Sequence, residues 1–160
     1  MLSEPGDSVG AMDRIDTDEI PGRGGPAATV EIRPGAVGPV RTQYAPEPDG
    51  DPDPGEIVWT WVPYEENDGR GKDRPVLVVA RETGRETLLA VQLTSRDRDH
   101  DDEWLPLGSG PWDTSGRDSW VHLDRVLRVH PEGMRREACA LDRARFNRVV
   151  HSLQLRHGWR

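Results

Sequence analysis

Apolar and polar positions show no sustained order over residues 1–54, then fall into a regular pattern from Gly55 onward. Ile57, Trp59 and Trp61 share one parity, with Glu56, Val58, Thr60 and Val62 on the other, the period of two that predicts a strand. Residues 63–73 are polar and glycine-containing and predict a loop. Arg74-Pro75 then opens a continuous run of branched apolar residues to Ala80, which predicts a strand covered on both faces. A turn at Gly84 leads to a third strand over 88–94, and residues 103–107 predict a short fourth. A turn-rich loop around Trp112 follows, and residues 120–129 predict one or two more strands. The period then changes. Asp142 is a helix N-cap, Phe146, Val149, Val150, Leu153 and His157 form one helical stripe, and Gly158 closes it. About five short strands followed by one amphipathic helix predict a mainly β (α+β) domain whose bent sheet closes into a small barrel.

Composition divides the chain at the same place. Residues 1–54 hold nine of the fourteen prolines and, with Gly55, nine of the seventeen glycines, too many for helix or long strand. They predict a largely disordered acidic leader, in which 29–45 is the part expected to pack and 29–32 the place for a short strand. Residues 55–160 are the expected folded domain. Apolar residues make up 34% of the chain and charged ones 31%, so a core cannot extend over the whole length. The formal net charge of −8 argues against a nucleic-acid partner until it is localised. The leader carries eleven acids against four arginines, and the remainder eighteen acids against seventeen bases, so the domain is near neutral. Its bases cluster early, at Arg70, Lys72, Arg74, Arg81, Arg85, Arg96 and Arg98. The leader's charge suits either a solubilising tail or a cover laid over Arg74 and Arg96. One cysteine, Cys139, fits a reducing compartment, and no stretch has the length of an apolar membrane span, so a cytoplasmic protein is expected.

No glycine loop has nucleotide-binding spacing, and the five histidines are scattered without a cysteine pair, so neither a cofactor nor a metal site is expected. What remains is a loop–strand junction and a strand end. Pro75 pushes Arg74 toward an extended conformation, holding a guanidinium fork where it can meet a phosphate. Thr94 and Ser95 end an apolar strand with two hydroxyls, followed by Arg96 and Arg98. From spacing alone the same residues also read as a solvated arginine and ordinary turn chemistry. Glu65 and Glu66 either orient a base or keep their loop wet. Trp112 either stacks an unpaired base or packs over a barrel end. Trp59 and Trp61 read as core and dimer contacts.

Three blocks in order resemble the MazF/PemK family, the toxins of bacterial type II toxin–antitoxin pairs. Pro54-Gly55-Glu56-Ile57-Val58-Trp59, a loop, and Gly71-Lys72-Asp73-Arg74-Pro75-Val76-Leu77-Val78-Val79 resemble its opening strand, first loop and Arg-Pro-apolar strand. Val91-Gln92-Leu93-Thr94-Ser95 resembles its strand ending in Thr-Ser, and Arg117-Asp118-Ser119-Trp120-Val121-His122-Leu123-Asp124-Arg125-Val126 its stretch before the last strand and helix. The resemblance implies an SH3-like barrel of the MazF/CcdB type with a C-terminal helix, usually a homodimer, restrained by a cognate antitoxin. It also implies metal-independent cleavage of single-stranded RNA at short sequences, leaving a cyclic phosphate. By position Arg74 matches the family's catalytic arginine and Thr94 its catalytic threonine. Ser95, Lys72, Arg70, Arg96 and Glu65 are the accompanying candidates for RNA contact, with Glu65 or Glu66 as general base. The competing expectation is a non-catalytic toxin or binding module on the same barrel, acting on a protein target.

Overall fold

The computed structural model describes residues 23–36, 40–47, 52–66 and 68–159. The expectation of disorder over 1–22 and 48–51 lies outside them. Seven strands and one helix follow in chain order: β1 (Val30–Ile32), β2 (Glu56–Pro63), β3 (Gly71–Arg81), β4 (Leu88–Thr94), β5 (Trp104–Gly108), β6 (Ser119–Val129), β7 (Met134–Ala140) and α1 (Arg143–His157). All pairings are antiparallel, in the order β1-β6-β4-β3-β2-β7, with β5 also on β6.

Both faces of the central strands are covered, which is why β3 and β4 read as continuous apolar runs rather than alternating ones. One face, with Ile57, Leu77, Val79, Leu89 and Val91, packs under Phe146, Val149, Val150 and Leu153 of α1. The other, with Val58, Val76, Val78, Ala90, Leu127 and Met134, forms a second apolar cluster. The helix has the predicted ends. Asp142 accepts from the Arg145 N–H at 3.0 Å, and Gly158 takes the left-handed conformation, φ 71°.

Three expectations need correction. The sheet is not closed into a barrel: its strand path ends at β1 and β7. Closure by a ladder would need a longer β1, but Pro34, with no N–H to donate, starts a 3-10 turn two residues after Ile32. Side chains bridge the gap instead. The Thr29 hydroxyl meets that of Thr60 on β2 at 3.1 Å, and Thr60 donates onward to the Gly133 carbonyl at 2.8 Å. Second, the loop after β2 is shorter than predicted, since Gly71–Asp73 already pair with Trp61–Pro63. Of the one or two strands expected over 120–129, the structure has one, Ser119–Val129. Third, β7 carries no local signal, and only the family resemblance implies a last strand before the helix. Its sequence, Met-Arg-Arg-Glu-Ala-Cys-Ala, has no alternation and few β-formers, and it is held as an edge by pairing with β2.

The described part of the leader packs onto this body. Val40 joins the larger core, the Tyr44 hydroxyl donates to the Leu141 carbonyl at 2.6 Å, and the Tyr44 ring lies 5.0 Å from that of Phe146. Gly55 makes this close approach feasible. Its φ is +100°, and a Cβ there would stand 2.8 Å from the Tyr44 ring. Gly55→Ala is therefore expected to lower stability by about 1–3 kcal/mol, read as a shift in urea midpoint at unchanged slope.

A second test concerns acid sensitivity. Glu82 accepts from Arg128 Nε at 2.6 Å and Nη2 at 2.9 Å, and from the Thr87 hydroxyl at 2.7 Å. The Arg128 hydrogen bonds hold its carboxyl below the ordinary 4.5. A carboxyl depressed on folding stabilises the native state above its unfolded pKa, and loses that contribution as pH falls through the folded one. The stability gap between wild type and Arg128→Gln should be full at neutral pH and shrink below about pH 4.5, in urea titrations at stepped pH.

Candidate active site

The β3–β4 ladder runs to Val76↔Gln92, one residue past Pro75. Extending it by two residues brings Arg74 opposite Thr94, on the same face as Gln92, because facing antiparallel residues share a face. Two clefts meet there. One, of about 620 Å³, is lined by Trp59, Pro75, Leu93, Trp112, Ser119 and Cys139 among others. The other, of about 630 Å³, is lined by Tyr64, Glu65 and Glu66 together with Arg96, Arg98, Trp104, His122 and Arg125. Lys72, Arg74, Thr94, Ser95 and Arg117 line both, and so form a ridge between them.

The second cleft is strongly cationic. Lys72, Arg74, Arg96, Arg98, Arg117 and Arg125 face two carboxylates, Glu65 and Glu66. Burial pushes the Arg74 guanidinium below its ordinary pKa; the charges of Arg96, Arg125 and Arg98 push the same way, opposed by Tyr64. It stays cationic at neutral pH, at a cost that a bound anion would relieve. Thr94 is buried, and its hydroxyl oxygen accepts from the Arg96 N–H at 3.2 Å, which leaves its proton to donate elsewhere.

Of the residues singled out in the sequence, Arg74, Thr94, Ser95 and Lys72 come together on the ridge, with Arg96 and Glu65 on the walls of the second cleft. Arg70 lines neither cleft. Its guanidinium pairs with Asp68 at 2.7 Å and lies 5.9 Å over the Tyr64 ring. Trp112 belongs to the core, with its Nε1 donating to Ser119 at 2.9 Å.

Sequence reasoning missed His122 and Arg125 as cleft residues. They have opposite parity, so a regular strand would send them to opposite faces. The register explains the exception. β6 pairs through Val121↔Leu93 and Val126↔Val91, so residues 122–125 stand against Gln92 alone. Such a bulge re-aims side chains. On its outer edge β6 is paired by β5 up to His122 and by β1 from Val126, which leaves an opening at Arg125. Arg125 is 4% exposed and donates to three segments: Nε to Glu31 of β1 at 2.6 Å, Nη1 to Gln92 at 3.2 Å, and Nη2 to the Pro63 carbonyl. The described part of the leader thus puts one carboxylate, Glu31, onto Arg125, an arginine of the cleft.

An antiparallel sheet with a cationic cleft at a strand junction suits an anionic ligand. Residues 53–156 match the sequence model described as PemK-like, MazF-like toxin of type II toxin-antitoxin system. The match covers more than half of the chain, and the chain belongs to this family of toxins. Among solved structures, an endoribonuclease from a mycobacterial species is similar over 68% of this chain and 93% of its own, with 19% identity and a TM-score of 0.47. No curated protein matches. None of the helices is long and apolar enough to cross a membrane, among the described residues.

Glu31→Ala should cost about 1 kcal/mol of stability, since a charged hydrogen bond is worth about 1.5–3 kcal/mol and Glu31 is partly solvated. A double-mutant cycle with Arg125→Met, by urea unfolding, isolates that coupling.

Proposed function

We propose that this toxin is an endoribonuclease that cleaves single-stranded RNA, with the scissile phosphate held on the Arg74–Thr94 ridge. The observation that carries this reading is the half-buried Arg74 guanidinium, crowded by three other arginines beside a buried hydroxyl whose proton is free to donate. Single-stranded RNA supplies the phosphates that such a cleft lacks, and the unpaired bases leave them accessible.

The substrate carries its own nucleophile. Its 2′-oxygen attacks the adjacent phosphorus, the bond to the 5′-oxygen breaks, and the products are a 2′,3′-cyclic phosphate and a 5′-hydroxyl. The 2′-proton passes to a carboxylate of the facing wall, Glu65 or Glu66, and the departing 5′-oxygen takes a proton from water. Arg74 grips the phosphate through two N–H donors, and Thr94 donates to it from the neighbouring strand. Both interactions strengthen as charge builds at phosphorus. No metal or cofactor enters these steps. Lys72, Ser95 and Arg96 hold flanking backbone. Arg70, occupied by Asp68 outside both clefts, is given no contact. In the same reading the toxin works as a homodimer in the cytoplasm and is restrained by a small cognate antitoxin that competes with RNA for the cleft.

The test is the induction of wild type, Arg74→Ala and Thr94→Ala, with RNA ends mapped in each. Wild type should generate cyclic-phosphate ends at a short recurrent sequence, in EDTA as well. Each alanine variant should lose about 10²–10³ in rate at unchanged fold. Arg74→Lys should lose at least about tenfold, because an ammonium cannot replace the bidentate fork. Near-normal cleavage by Arg74→Ala overturns the assignment.

A further inference from the structure

We infer that Trp104 is a stacking platform for one unpaired base next to the cleaved linkage, and that Arg98 is its displaceable cover. The inference rests on the reading of the second cleft as an RNA site, and adds to it the element that would select a base.

Trp104 opens β5 and pairs with His122 of the β6 bulge. The two rings lie 4.2 Å apart and are parallel within 7°. His122 is buried and bonded to Glu103 through Nε2 at 3.2 Å, so the indole rests on a fixed support. With one face against the imidazole, the other is left for Arg98, whose Cζ lies 4.9 Å from the ring centre. The indole is partly exposed, and both it and Arg98 line the cleft that holds Arg74 and Thr94.

What marks Arg98 as a removable cover is how little else holds it. Its Nε is buried without a hydrogen-bond partner among the described residues. Trp112 provides the contrast inside the same molecule. It too has an arginine over it, Arg145 at 5.2 Å, but that guanidinium is tied to Asp142 and to the carbonyls of Leu107 and Ser109. The Trp112 indole is itself buried and pinned through Nε1. One tryptophan is locked into the core, and the other is stacked beneath a weakly tethered cation at the edge of an anion-binding cleft.

A nucleobase stacks on an indole at least as well as an exposed guanidinium does. When a base slides over Trp104, the freed Arg98 joins Arg96 on the adjacent backbone, where it meets a phosphate instead of a ring. The displaced contact is thus replaced by a stronger, charge-assisted one.

The experiment uses the full chain and a short RNA spanning a mapped cleavage site, with a 2′-deoxy group at the cleaved nucleotide so that it binds without reacting. Binding is followed by fluorescence anisotropy for the intact RNA and for a series in which one base at a time is removed. Wild type should show one position near the cut where loss of the base weakens binding about tenfold. In Trp104→Leu, which keeps apolar bulk over His122 but has no π-face, that position should cost nothing further, and the intact RNA should bind about tenfold more weakly. Trp104→Phe should retain most of the affinity, yet lose the quenching of tryptophan emission that wild type shows on binding. That optical readout also decides the matter if Trp104→Leu does not fold.

Wild type that binds and cuts RNA, with abasic penalties unchanged in Trp104→Leu or with quenching unchanged in Trp104→Phe, overturns the platform alone. Wild type that neither binds nor cuts overturns the nuclease reading, and the platform with it.

Discussion

Arg125 carries a full charge almost out of contact with water, and its three hydrogen bonds are the constraint on which the cleft depends. Desolvating a guanidinium costs several kcal/mol unless its donors are met, so it is retained only where acceptors converge. Here they come from three separate stretches: the Glu31 carboxylate on β1, the Gln92 amide on β4 and the Pro63 carbonyl at the end of β2. Meeting that demand fixes the β6 bulge against Gln92, seats β1 on the outer edge of β6, and sets where the 64–66 loop departs. The walls of the second cleft follow from these placements, and so does the position of His122 beneath Trp104.

The same arrangement resolves the conflict between an acidic chain and an anionic substrate. A charge of −8 summed over the molecule says little about a cleft where six cations face two carboxylates, because solvent screening makes local charge dominate beyond about 8–10 Å. Several acids of the domain are paired away from the cleft, although Asp113 holds the cleft's Arg117 at 3.1 Å. Glu82 holds Arg128, Asp124 holds Arg156, and Asp68 holds Arg70 away from the ridge. The charges that act on Arg74 most strongly are those of Arg96, Arg125 and Arg98, and a backbone phosphate changes that balance most.

Much of the architecture was legible in the residues. β2, β3, β4, β5 and β6 lie where alternation and branched apolar runs place them, and α1 has both predicted caps. Each of these signals is local: a period, a cap, or a run long enough to need cover on two sides. The errors share a cause. β7 is a strand because β2 offers it an edge, not because Met-Arg-Arg-Glu-Ala-Cys-Ala prefers to be extended. Barrel closure was expected from the number of short strands, but it depends on how far β1 can run before Pro34, and hydroxyl contacts take its place. The sequence offers Trp112 as a residue that stacks a base or packs, and the structure pins it in the core through Ser119, while Trp104, which carries no such signal in the sequence, lines the second cleft.

By itself, then, the chain determined its elements other than β7 and the two chemical groups placed at their ends, a guanidinium before Pro75 and a hydroxyl closing β4, because dihedral preference and side-chain period act over a few residues. Tertiary structure decided which groups share a cleft. Arg74 and Thr94 line the same two clefts, His122 and Arg125 join the second through a bulge, and Arg70 pairs with a nearby carboxylate outside both. Those outcomes depend on contacts between segments up to 94 positions apart, as with Glu31 and Arg125, and no local pattern encodes a distance of that kind.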